Sequence, residues 1–290
     1  MPTGRSRSRR TAPEIAPLLT HGDDAGFLAL LDKITRDRGF QCSSYKDKCL
    51  RRRVAVRMRA KGAASHSEYA GILDADPREY DRLVRSLTIS VTKFFRNWDT
   101  FSAVQQKVIP ALWERGEREL RVWSAGCASG EEAYSLAILA HKHAAERRQL
   151  SRLDGVSIIG TDIDVQGLGK AEAAAYGETA LGDTPAALRR EYFPEAGGVF
   201  TVRPEVRRLV KFQCRDLLRA RAPFEDIHLI MCRNVVIYFE REAQDALFAE
   251  FHSALVPGGF LVLGKVEMLL GTARSLFSPV NARERIFRKI

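Results

Sequence analysis

Apolar residues recur along this chain at two different spacings, and the spacing changes near Trp98. Before that point the pattern is helical, in the stretches GFLALLDKITRDR, YKDKCLRRRVAVRMRAK and HSEYAGILDADPREYDRLVRSLT, joined by short connections. In the second stretch Leu50, Val54 and Met58 repeat every four residues on one face, while Arg53, Arg57 and Lys61 form a stripe on another. This predicts a small, basic, all-helical domain over residues 25–92. Residues 1–24 have arginines and no apolar period, which reads as a flexible basic tail.

Beyond Trp98 helices alternate with short apolar runs. A helix over residues 101–115 leads to a strand at 120–124, the small-residue loop AGCASG, and a helix opening at Glu131, with Tyr134, Leu136, Ile138 and Leu139 as its buried candidates. A second strand spans 156–164, followed by the helix VQGLGKAEAAAY. VKFQC is a third strand and Ile227–Cys232 a central one; the helix EREAQDALFAEFHSAL is closed by VPGG before the strand FLVLGK. Such alternation requires a mostly parallel sheet covered on both faces. Residues 178–210 interrupt it, and LRREYFP, a Gly-Gly turn and FTVRPEV predict an inserted lobe with short antiparallel strands.

Open α/β sheets bind ligands beyond the carboxyl ends of their strands. Between Ser124 and Glu131, Gly126 and Gly130 permit close backbone approach, and Ala125, Ala128 and Ser129 leave room. The spacing is not GxGxxG, and Glu131 and Glu132 stand where a pyrophosphate would need bare N–H donors. A cationic, phosphate-free ligand such as S-adenosylmethionine fits better. Asp162, 36 residues after Gly126, closes the second strand where a carboxylate can accept both ribose hydroxyls. Either Asp162 or Asp164 could cap the next helix, with Asp164 preferred. Asp216 and Leu217, after VKFQC, are placed for an adenine amino group and ring.

In their order, SLTISVTKFFRN, RVWSAGCASGEEAYSLA, GTDID, the DLL of 216–218, MCRNVVIYF and LVPGGFLVLGKVEML resemble the CheR chemotaxis-receptor methyltransferases, from about residue 25 to 290. The resemblance implies a Rossmann-like class I methyltransferase domain over 93–290 with a mostly parallel sheet, an antiparallel subdomain inserted at about 178–210, and a helical amino-terminal domain. It implies methyl transfer from S-adenosylmethionine to glutamate side chains of chemoreceptors, leaving S-adenosylhomocysteine and the methyl esters of chemotactic adaptation. By motif, Ser90, Thr92 and Arg96 would contact the cofactor, with Arg96 also at the reaction centre. Glu131 would receive the methionine ammonium, Asp162 the ribose, and Asp216 and Leu217 the adenine. Cys232 and Arg233 would run along the pocket through main-chain groups, and Tyr238 would face the substrate. In some members the insert holds a receptor tail peptide. Ser90 stands where the family often has asparagine, and Lys265 and Val266 where a histidine or small polar residue and a serine are frequent, which bears on substrate preference at that rim.

Charge sharpens the choice of partner. Lysine and arginine number 46 against 36 acids, a net charge of +10, which favours an acidic partner. Lys46, Lys48, Arg51, Arg52, Arg53, Arg57, Arg59 and Lys61 concentrate it, with Asp47 the only acid among them, and the stripe of Arg53, Arg57 and Lys61 is expected to dock the acidic helical bundle of a receptor. One rival is a nucleic-acid methyltransferase using the same face. It is disfavoured because no aromatic platform flanks the basic run and no NPPY-like or cysteine-nucleophile motif is present. The other rival is an inactive cofactor-binding signalling module, disfavoured by the presence of Arg96, Glu131, Asp162 and Tyr238. His141 and His143 point to different sides of one helix and the five cysteines are scattered, so no metal site is expected. The cysteines suggest a reducing compartment. With no run of about 18 apolar residues and no secretory signal, the expectation is a cytoplasmic enzyme recruited to membrane-bound receptor arrays.

Overall fold

The computed structural model describes residues 24–88 and 92–290. The expected tail, apart from Asp24, and the candidate Ser90 lie outside the described residues. The first module is four helices: α1 (Asp24–Arg38), α2 (Asp47–Lys61), α3 (His66–Ala75) and α4 (Pro77–Leu87). Leu50, Val54 and Met58 of α2 are buried against Phe27, Tyr69 and Leu83 from the other three helices, as the spacing of four requires. The third stretch is two helices. Pro77 lacks an N–H and disfavours helix in the residue before it, so the chain restarts there, with Asp76 accepting from Arg78 N (3.1 Å) and Glu79 N (3.2 Å) as cap.

That break changes the reading of the basic stripe. It sets acids of α4 beside α2, and Arg57 donates from Nε to Glu79 Oε1 (2.9 Å) and from Nη2 to Oε2. Tyr69 Oη donates to the same Oε1 at 2.9 Å. Glu79 is fully buried; burial would raise its pKa, but these hydrogen bonds outweigh it and hold the carboxyl below its ordinary value. Lys61 Nζ donates to Asp76 Oδ2 at 3.0 Å. Arg57 and Lys61, expected to dock a partner, are thus paired with acids of their own domain, and the exposed cations of α2 are Lys48, Arg52 and Arg59. Glu79→Ala is expected to cost about 3–5 kcal/mol of unfolding free energy in a urea titration, because it strands a guanidinium.

The second module begins with α5 (Trp98–Ala103) and α6 (Ile109–Glu114), joined by a π-helical turn at Val104–Val108. Pro110 explains the turn, since it cannot donate to the carbonyl four residues back. Then follow β1 (Leu120–Ala125), α7 (Glu131–Glu146), β2 (Val156–Asp162), α8 (Val165–Ala173), β3 (Ala175–Tyr176), α9 (Ala186–Tyr192), β4 (Glu195–Ala196), β5 (Val199–Thr201), α10 (Pro204–Arg207), β6 (Val210–Cys214), β7 (Ile227–Cys232), α11 (Arg241–Ala254), β8 (Leu255–Leu263), α12 (Ala273–Leu276), β9 (Phe277–Asn281) and β10 (Ile286–Lys289). The main sheet has the order β6-β2-β1-β7-β8-β10-β9, parallel from β6 to β8, with β10 antiparallel to both neighbours. This is the expected α/β fold. The VPGG segment belongs to β8 and does not end the preceding helix.

The insert is the antiparallel sheet β3-β5-β4 with α9. It begins at Ala175, three residues before the expected boundary of 178. Phe94 packs edge-on against its Tyr176 (4.8 Å) and Phe193 (4.6 Å), and Phe94 N donates to Ala180 O at 2.9 Å. The insert therefore braces the segment that carries Thr92 and Arg96. Among the described residues no helix is long and apolar enough to cross a membrane.

Candidate active site

The parallel strands β1, β2, β6 and β7 end on one edge, and the turns leaving them form the site. Gly126 and Gly130 have φ of 79° and 90°, and a Cβ on Gly126 would come 2.5 Å from Val235 Cγ2. Both turn conformation and close packing therefore demand glycine there. Asp162 ties the turn down: its Oδ2 accepts from Ala128 N at 2.8 Å and its Oδ1 from Asp164 N at 2.9 Å. Burial raises its pKa while these N–H bonds act against the rise. Asp164 caps α8 by accepting from Gln166 N at 3.1 Å.

Two adjoining cavities open at this edge. The first, about 560 Å³ including its mouth, is lined by Asp162, Asp216, Leu217 and Tyr238, with Tyr45, Leu87 and Thr88 contributed by the helical module. The second, about 420 Å³, is lined by Thr92, Arg96, Phe101, Ala128, Glu132 and Arg233. Gly126, Asn234 and Val235 line both and separate them.

The two acids at the start of α7 part company. Glu131 accepts from Ser129 Oγ at 2.8 and 3.0 Å and lines neither cavity. Glu132, about 100° further round the helix, faces the second cavity. Its Oε1 accepts from Ser124 Oγ at 2.9 Å, and Arg233 Nη1 lies 3.7 Å from its Oε2. Burial pushes the Glu132 carboxyl up to about 7, with Arg233 and Ser124 restraining the rise. Of the two acids, Glu132 and not the candidate Glu131 lines a cavity. The buried Arg233 also lies over the Phe101 ring (5.3 Å) and donates from Nη2 to Asn97 Oδ1 (2.9 Å). Its Nε has no hydrogen-bond partner, leaving a donor suited to a ligand carboxylate. Acid, guanidinium and glycine-lined turn fit an amino acid joined to a nucleoside.

The family model "CheR methyltransferase, SAM binding domain" matches residues 90–286, and "CheR methyltransferase, all-alpha domain" matches residues 25–88. The chain belongs to the CheR family. It is accordingly an S-adenosylmethionine-dependent methyltransferase. A chemotaxis protein methyltransferase of Listeria innocua is 32% identical over 248 residues, covering 86% of this chain and 92% of its own length. Chemotaxis protein methyltransferase 1 of Pseudomonas aeruginosa is 35% identical over 193 residues, 65% of this chain and 70% of that protein. A 104.1 kDa protein of Rhodobacter capsulatus is 37% identical over 248 residues, 85% of this chain but only 26% of that protein.

The CheR-motif candidates divide between the two cavities, with some outside both. Asp162, Asp216, Leu217 and Tyr238 share the first cavity, while Thr92, Arg96 and Arg233 share the second. Arg96 and Tyr238 therefore stand on opposite sides of Asn234 and Val235. Arg233 presents its side chain, where main-chain contact was expected. Cys232 lines neither cavity: it is a fully buried strand residue paired in register with Leu263, and burial drives its thiol pKa far up. Tyr45, Leu87, Thr88 and Asn234 were not among the sequence candidates, and Glu132 counted there only as an acid disfavouring a pyrophosphate; of these, Glu132 and Asn234 carried a signal, inside GEE and CRN. Among the described residues no group of three or more His, Cys, Asp or Glu is placed to hold a metal ion.

Proposed function

We infer that this protein transfers the methyl group of S-adenosylmethionine to glutamate side chains of chemoreceptors, forming methyl esters. The second cavity carries the reading: it sets a buried acid beside arginines, as a donor with a cationic end and an acceptor with an anionic one require. Bound S-adenosylmethionine supplies a methyl group made electrophilic by a sulfonium. Glu132 would hold the ammonium, Asp162 the ribose hydroxyls, and Asp216 with Leu217 the adenine side.

A glutamate acceptor, with a pKa near about 4.3, is ionised at neutral pH and needs no general base. In keeping with this, no described histidine lines either cavity. Arg96 orients the acceptor carboxylate through paired N–H donors. Its grip has to be moderate, because charge disappears toward the transition state and a firm clamp would favour the ground state. Exclusion of water by Phe101 and the covering helical module assists the same charge-consuming step. Tyr238 directs the acceptor from the far side of the Asn234–Val235 divide.

The exposed row Lys48, Arg52 and Arg59, with Arg53 beside it, docks the acidic methylated helices of the receptor, which brings the enzyme to receptor arrays on the cytoplasmic side. In the insert, β4 is an edge strand, and a receptor tail peptide would add there. The test is incubation with labelled S-adenosylmethionine and either chemoreceptor cytoplasmic fragments or RNA. Alkali-labile label released as methanol from the receptor sample alone is expected; label on RNA, or stable label on the receptor, would overturn the assignment.

A further inference from the structure

Glu267 lies in the turn after β8 and is 3% exposed. Its Oε1 accepts from Val235 N (2.9 Å) and Val236 N (2.9 Å), and its Oε2 from Asn234 N (2.9 Å) and Gly264 N (2.6 Å). Four backbone donors thus converge on one carboxylate, three of them from consecutive residues of the loop after β7. The loop cannot hold this shape unaided. Asn234 sits at φ 61°, and three successive N–H groups aimed at one point would repel one another without an anion between them. The fit is close, since a Cβ on Gly264 would come 2.7 Å from Glu267 Oε2 and 3.0 Å from Asn234 N.

The loop so gathered is the divide between the two cavities. Asn234 and Val235 line both; Val235 packs on Gly126, and its carbonyl accepts from Tyr238 N at 3.1 Å. We propose that Glu267 is a positioning residue: through the backbone of residues 234–236 it fixes the wall that Asn234 and Val235 give to both cavities, and so the alignment of the cofactor that spans them with the acceptor. It lines neither cavity and acts through the loop, while its charge also bears on Glu132 and Arg233. This rests on the methyltransferase reading for what the cavities hold, but the geometry of the loop does not.

The test uses the full chain with Glu267→Gln and Glu267→Asp, each verified as folded by circular dichroism at the assay temperature. Glutamine keeps the shape but turns two amide hydrogens toward two of the backbone N–H groups, while aspartate keeps all four acceptors on a shorter stem. The expected result is a calorimetric affinity for S-adenosylhomocysteine at least about fivefold weaker in Glu267→Gln and intermediate in Glu267→Asp. The turnover number on receptor fragments falls by at least about tenfold, with the KM for the receptor unchanged. A merely structural role would lower the melting temperature and leave the affinity and turnover of the folded protein alone. Should glutamine prevent folding, the aspartate variant decides by the same readouts. Affinity within about twofold of the parent in a folded variant overturns the proposal. If the parent binds S-adenosylhomocysteine but methylates no receptor, the assigned acceptor fails while the affinity comparison still decides the role of Glu267.

Discussion

Glu132→Gln is expected to weaken S-adenosylhomocysteine binding roughly ten- to hundredfold by calorimetry, while Glu131→Gln leaves it within about threefold. A hydrogen bond to a charged partner contributes about 1.5–3 kcal/mol, and the amide removes the charge without changing the shape. The contrast between neighbours is the informative part, because only Glu132 faces a cavity. The same residue sets a pH dependence. Its carboxyl is pushed up to about 7 by burial, so it is mostly ionised at pH 8 and mostly protonated at pH 6. An ammonium ligand requires the ionised form. Affinity should therefore fall by roughly tenfold as pH drops from 8 to 6, with proton release on binding at the lower pH. Glu132→Gln should lose this slope. Equal effects at 131 and 132, or a flat pH profile in the parent, would place the ammonium elsewhere.

Arg96→Ala is expected to lower receptor methylation turnover by at least about tenfold while the protein remains folded. Arg96→Lys should recover only part of the loss, since an ammonium offers point charge but not the fork that fixes both carboxylate oxygens. Arg96 also restrains the rise of the Glu132 pKa. Its removal should consequently shift the pH dependence of S-adenosylhomocysteine binding upward, an effect that separates this arginine from one serving only the acceptor. Near-parental release of methanol by Arg96→Ala would take the residue out of the chemistry.

The parallel core was readable because β1, β2, β7 and β8 are mostly apolar and the turns after β1, β2 and β6 carry small residues or an acid. Asp162 and Asp164 could be told apart because one ends a strand and the other precedes a helix. The Glu131 and Glu132 pair could not be resolved the same way. α7 is buried on nearly every side, so no polar face fixes its phase, and the left-handed Gly130 sets where the first turn begins. Tyr45, Leu87 and Thr88 join the first cavity from a module remote in sequence, which no local pattern signals. The pairing of the basic stripe was hidden for a different reason. Its charges were plain, but which acids the Asp-Pro break brings against them is a matter of packing that no local pattern signals. Glu267 stands between Val266 and Met268, both exposed, and a lone acid in such a run reads as surface.

The helical module does not hang from its neighbour by a tether. Tyr45 makes a bridge to Phe239, Lys46 N donates to Tyr238 O at 2.9 Å, and Glu240 N donates to Ser44 O at 2.8 Å. The face proposed to dock the receptor and the wall proposed to stand behind the adenosine are consequently sewn to the same short piece of chain. Exchanging either half for that of a relative would mean carrying the matching side of the seam along with it.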